Sequence, residues 1–176
     1  MKGFIYKEKG DTASAVQLFR RICDKFPDYA PAFEDVGVLY ADLNDGMAVE
    51  YLTTALQLEP NNTNVMYALA LFYQDHEAIE NAESLYRQEI ELNPARADAW
   101  HNLGYIALFY HEDCDRAIEF FTKALECDPA LISAYANRGC AYELKGDRKS
   151  AEKDFQAALG LNAAFRPAVE GLKRVK

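Results

Sequence analysis

Ala97-Asp98-Ala99-Trp100-His101-Asn102-Leu103-Gly104 is the stretch that decides the fold, because its order of large, small and turn residues recurs on either side at a nearly fixed interval. From Trp100 the pattern continues through Leu103 and Gly104 to Ala117, Phe121 and Ala124, and stops at Pro129. Helical spacing joins the first set on one helix and the alanines and Phe121 on a second, facing helix. A fixed period of this kind means stacked helix pairs, each burying its apolar face against its neighbours.

Working outward, residues 30–62 repeat the pattern with Phe33, Val36-Gly37, Tyr40, Ala48, Leu52, Ala55 and Pro60. Their turn, Asn44-Asp45-Gly46, is one residue short, and Asp45 and Gly46 supply its chemistry. Residues 63–96 carry Met66, Leu69-Ala70, Tyr73, Ala82, Tyr86 and Pro94. Residues 97–131 are one residue long, the extra residue falling in His111-Glu112-Asp113-Cys114-Asp115. Residues 132–165 carry Tyr135, Gly139, Tyr142, Gly146-Asp147, Ala151, Phe155 and Ala158, with Ala163 where a proline would end the repeat. Glycine at 37, 104 and 139 lets the facing helix approach closely.

The two ends are incomplete versions of the same unit. Residues 1–29 read as a truncated first repeat through Gly3, Tyr6, Gly10-Asp11, Ala15, Phe19 and Pro27, with about two turns of its first helix present. Residues 166–176 read as a capping helix, with Val169, Leu172 and Val175 toward the last repeat and Arg166, Lys173, Arg174 and Lys176 toward solvent. No proline-rich or low-complexity linker separates the repeats, so residues 1–176 are expected to form one continuous array.

The large-x-x-Leu-Gly, Ala-x-x-x-Phe-x-x-Ala and terminal proline pattern resembles the tetratricopeptide repeat family. The resemblance implies an all-α, right-handed superhelical array of antiparallel helix pairs with a capping helix. It implies a protein-interaction module rather than an enzyme, and it implies that the first helices line a concave groove.

Composition narrows the partner. With 19 Lys plus Arg against 28 Asp plus Glu, the formal net charge of -9 argues against unaided binding to a phosphate backbone or an anionic membrane. The opening residues lack the apolar run of a secretory signal, and the apolar runs at 67–73 and 105–110 are too short to span a bilayer. Cys23, Cys114, Cys127 and Cys140 occupy ordinary slots in the repeats, Cys114 in a turn, so free thiols and a cytoplasmic setting are expected.

Positions that point away from the helix-pair core are the candidates for binding. The ninth residue of each repeat is Phe4, Val38, Leu71, Tyr105 or Cys140, none of them charged. Outward neighbours add Tyr67, His101, Leu108, Phe109 and Leu144, a row of the kind that anchors interfaces. Asn102 and Asn137 share the sixth position, where family members that grip extended segments use asparagine ladders; this chain resembles them in two rungs. Glu34, Asp35, Asp42 and Asp75 are expected to make the groove's N-terminal end acidic.

These readings give an expected groove of Tyr67, Leu71, His101, Asn102, Tyr105, Phe109, Asn137 and Cys140, suited to a segment with apolar anchors and a basic flank. The lysine and asparagine set with which related repeats clamp acidic chaperone tails is missing: the fifth positions are Glu34, Tyr67, His101 and Ala136. His111, Cys114 and their neighbouring carboxylates are of ligand type, but their spacing matches no closed zinc site and reads as a solvated turn. No cofactor is implied, and no phosphate loop, nucleophile elbow or carboxylate pair suggests catalysis. A second reading is self-assembly, through an under-covered edge at Val16, Phe19 and Ile22.

Overall fold

The computed structural model describes residues 12–176. Among them are ten helices and no strand: α1 (Thr12–Lys25), α2 (Ala30–Asp42), α3 (Met47–Leu58), α4 (Thr63–Asp75), α5 (Ile79–Leu92), α6 (Ala97–Phe109), α7 (Cys114–Cys127), α8 (Ile132–Leu144), α9 (Arg148–Leu161) and α10 (Arg166–Val175). The pairs α2/α3, α4/α5, α6/α7 and α8/α9 coincide with the four full repeats, and α10 with the expected cap. α1 is the second helix of the truncated repeat; its first helix, with Phe4 and the Gly3, Tyr6 and Gly10-Asp11 landmarks, lies outside the described residues.

The chain divides into two compact units, one ending at Leu92 and the other running from Asn93 to Lys176. In the first, consecutive helices from α1 to α5 pack on one another around Val36, Leu52 and Val65, which are wholly enclosed. Phe19, Leu39, Leu69 and Phe72 extend this core. Val16 and Phe19 are buried and Ile22 is packed against the same core, so the edge expected to be under-covered is largely filled. In the second unit Leu103, Phe121 and Phe155 take the corresponding enclosed positions.

Local chemistry fixes where the helices start. Asn62 Oδ1 accepts from the N–H groups of Asn64 and Val65 at 3.2 Å, Asp113 Oδ1 from that of Arg116 at 3.0 Å, and Asp147 Oδ1 from that of Ser150 at 3.1 Å. Each satisfies a first-turn donor that has no partner within its own helix. The turn inside each of the four full repeats contains one residue in the left-handed region: Asn44 (φ 55°), Glu77 (φ 59°), Glu112 (φ 54°) and Gly146 (φ 83°). In the first of these turns Gly46 is right-handed (φ -57°), so Asn44 makes the reversal while Asp45 Oδ1 accepts from Met47 N–H at 2.9 Å.

The glycine slots are filled from the facing helix. A Cβ on Gly104 would come within 2.7 Å of the Phe121 ring, one on Gly37 within 2.7 Å of Leu52, and one on Gly139 within 2.8 Å of Phe155. Val175 of the cap is buried in the core and Leu172 packs against it, with Val169 half-buried, while Ala168 and Gly171 add to that face. Gly171 permits this by letting α10 settle onto Phe155, and Arg174 is not simply solvated, since Nε and Nη2 donate to Glu143 at 2.8 Å.

Beneath the second unit's surface lies a polar tie. Arg138 donates through Nε and Nη2 to Asp154 at 2.7 and 2.8 Å, and through Nη1 to Thr122 Oγ1 at 2.9 Å. One guanidinium thus links α7, α8 and α9. Burial opposes its charge, but the Asp154 bond more than compensates and Arg138 is held more firmly protonated than usual.

Candidate interaction surface

In the first unit, α2 and α4 supply the walls of a cleft of about 280 Å³. Helical spacing puts Val38 and Ala41 on one side and Tyr67, Leu71 and Phe72 on the other, with Asp42 and Asp75 also lining it. Tyr67 is steadied by the Tyr86 ring, 6.0 Å between centroids. Asp42 and Asp75 are the last residues of their helices, where unsatisfied carbonyls already carry partial negative charge. Apolar walls with two exposed carboxylates suit an aliphatic or aromatic side chain next to a cation.

The four carboxylates expected at one acidic end are not one cluster. Glu34 accepts from Asn62 Nδ2 at 3.0 Å, close to the start of α4, and is half-buried with Asp35 in the first half of α2. Eight residues of helix, about 12 Å, separate Glu34 from Asp42. Sequence spacing placed them on one face, but an asparagine that caps a neighbouring helix engages Glu34, and that contact is not visible in the periodicity.

In the second unit, Tyr105 meets Phe109 in a tilted ring pair at 4.5 Å and approaches Tyr110 at 6.4 Å. Phe109 is 50% exposed and Leu144 69%, large values for apolar side chains on otherwise well-packed helices. Leu108, in contrast, is buried and leaves the expected outward row. Leu108 lies in the last turn of α6, where packing covers it, and such cover from elsewhere in the fold is not written in the spacing of one helix.

Asn102 and Asn137 do not present two free carboxamides. Asn102 is buried, and its Oδ1 lies 3.2 Å from His101 Nδ1; Asn137 Nδ2 lies 3.1 Å from His101 Nε2. A carboxamide oxygen can only accept, so Nδ1 carries the proton and Nε2 accepts from Asn137. The imidazole also faces the Phe121 ring at 5.6 Å. Burial pulls its pKa below the ordinary histidine value, against the opposing effects of the Asn102 bond and the Asp98 charge.

Cys140 is half-buried on α8, and burial raises its thiol pKa. Burial pushes the Cys23 thiol further, up to about 11, and all four cysteines are free. Cys114 is the first residue of α7 rather than part of the turn. Asp113 is occupied in capping that helix and Asp115 pairs with Lys145. Among the described residues no three His, Cys, Asp or Glu side chains are grouped to hold a metal ion, and no helix is long and apolar enough to cross a membrane.

Comparison with known proteins agrees with this architecture. Descriptions of the tetratricopeptide repeat match residues 1–29, 67–132 and 132–165. The chain belongs to the tetratricopeptide repeat family, whose members generally mediate protein–protein interactions. It is similar to a crystal structure of MamA, at 29% identity and a TM-score of 0.85, over 92% of this chain and 94% of that one. It shares its fold with YrrB, described as a tetratricopeptide protein with an unusual peptide-binding site, at 20% identity and a TM-score of 0.82, over 97% of this chain and 88% of that one. Protein O-mannosyl-transferase TMTC3 of Homo sapiens is 28% identical over 172 residues, 88% of this chain and 19% of that protein. The chain spans a fifth or less of the first curated relatives it matches.

Proposed function

We propose that this chain is a non-catalytic binding module that holds a protein segment on the outward faces of its first helices. The observation that carries the reading is the α2/α4 cleft, where apolar walls and the terminal carboxylates Asp42 and Asp75 occur together. An apolar side chain entering it contributes roughly 25 cal/mol per Å² buried before ordering costs are subtracted. The carboxylates favour a Lys or Arg beside that anchor and disfavour an acidic tail. The rings of Tyr105 and Phe109 are a separate apolar patch within the second unit. The peptide-binding description of YrrB supports the same class of role.

The test is an array of short peptides in which apolar and basic positions vary independently, read with the parent chain and with Leu71→Asp. The expected result is selection of peptides with an apolar residue near Lys or Arg, lost in Leu71→Asp while its circular dichroism is unchanged. Equal selection of acidic and basic peptides, or binding indifferent to Leu71→Asp, overturns the reading. The cytoplasmic setting and absence of cofactor belong to this proposal, as does monomeric use. Self-association through α1 would instead appear as size growing with concentration.

A further inference from the structure

The hydrogen-bond chain at the second unit's outward face is polarised, and His101 determines its direction. Asn102 is buried and fixed, so its oxygen requires the proton on Nδ1. Nε2 is then bare and draws the amide nitrogen of Asn137 toward the ring. The amide oxygen of Asn137, on the other side of the same trigonal carbon, is left to a partner. Asn137 is only half-buried, on the helix that opens the repeat after the one bearing Tyr105 and Phe109, so that oxygen has an open side.

We propose that His101 is a positioning residue that sets the hydrogen-bond polarity of this face, making it an acceptor surface for partner N–H groups, and that protonation of His101 reverses it. With both ring nitrogens protonated, Nε2–H can no longer accept from Asn137 and confronts its amide N–H instead. Rotation of the amide by about 180° relieves the conflict, bringing Oδ1 to the ring and turning NH₂ outward. The face then offers donors above a new positive charge, which disfavours a basic, N–H-rich segment seated on it. This step rests on that reading for its biological use but not for its chemistry.

The surroundings permit the switch. The charge acting on His101 comes from Asp98 on its own helix; α7 turns the uncharged Phe121 ring to it and α8 the neutral Asn137. Burial keeps the imidazole neutral at pH 7, so the acceptor state is the resting one, and mild acid is needed to reach the other.

The test uses the whole chain labelled with ¹⁵N and followed by NMR from pH 8 to pH 5, without any partner. His101 is expected as a single Nδ1–H tautomer at pH 8, titrating below the ordinary histidine value, with the Asn137 side-chain NH₂ resonances moving at the His101 midpoint. An Nε2–H tautomer, or Asn137 resonances that do not follow His101, overturns the proposal. His101→Gln, which keeps a donor and an acceptor but cannot titrate, should leave the Asn137 signals flat across the range; signals that still move with the parent's midpoint also overturn it. A second arm adds a peptide of the basic, apolar type selected on the array. Each protein is compared with itself, and between pH 8 and pH 5 the parent's binding should weaken at least threefold more than that of His101→Gln. Equal weakening in both overturns the proposed effect on binding, whereas absence of binding at every pH with the expected titration indicts the proposed function and leaves the polarity switch standing.

Discussion

Gly171 of the capping helix lies flat against Phe155 of the last repeat, so close that a Cβ at position 171 would stand 2.4 Å from the ring's Cζ. Phe155 is fully enclosed and also touches Gly139, so the ring cannot move aside. Gly171→Ala is therefore expected to destabilise the second unit by about 1 to 3 kcal/mol, the usual cost of overpacking a tight contact. Trp100, the single tryptophan, lies in that unit and reports its unfolding by fluorescence. An unchanged Trp100 melting curve in Gly171→Ala would show that the cap does not seat as described.

Four turns place one residue each in the left-handed region, and only one of the four is glycine. A non-glycine side chain there costs roughly 1 kcal/mol, and asparagine less than most. Gly146→Ala should lower the melting temperature, while Glu112→Asn should raise it slightly, by a few tenths of a kcal/mol. Thermal denaturation of the two variants checks both signs, and a stabilised Gly146→Ala would contradict the turn geometry.

Arg138 and Asp154 form a nearly enclosed pair, with side-chain exposures of 17% and 5%. Removing one partner leaves a buried charge, an effect of about 3 to 5 kcal/mol, whereas replacing both by apolar residues is often tolerated. Asp154→Leu alone should therefore be much less stable in urea than the Arg138→Met, Asp154→Leu double variant. Equal losses in the two would mean that the pair is not enclosed.

His101 gives the fold a pH signature. Its pKa is lower folded than unfolded, so the unfolded chain takes the proton first as pH falls. Its contribution is complete above about pH 6.5, the unfolded histidine value, and declines as pH drops from there toward the folded value. His101→Gln should flatten this part of the stability profile. Urea midpoints measured from pH 8 to pH 5 decide the matter, and identical slopes for the two proteins would remove His101 from the account.

The carboxylates Asp42 and Asp75 are exposed, so their pull on a basic partner must be screened. Changing both to Asn should weaken binding of a basic, apolar peptide several-fold at low salt and little at high salt. Leu71→Ser should weaken it at every salt concentration. An identical salt slope for the parent and the Asp42, Asp75 variant would move the basic flank elsewhere.

The sequence by itself determined the helix pairs, their boundaries and the close contacts at Gly37, Gly104 and Gly139. Those follow from periodicity and from local turn and capping chemistry, which act over a few residues and are written in order along the chain. Spacing along a helix also led to the expectation of Tyr67, Leu71, Tyr105 and Phe109 on outward faces, and of Leu108 with them, which packing instead buries. Tertiary structure decided what depends on residues far apart in sequence. Asn62 claims Glu34 across 28 positions, His101 couples Asn102 to Asn137, Arg138 finds Asp154 and Thr122 at once, and Gly171 opens room for Phe155. Each joins side chains on different helices at hydrogen-bonding or contact range, and that range is set by how the helices pack, which a repeating pattern does not specify to within an ångström.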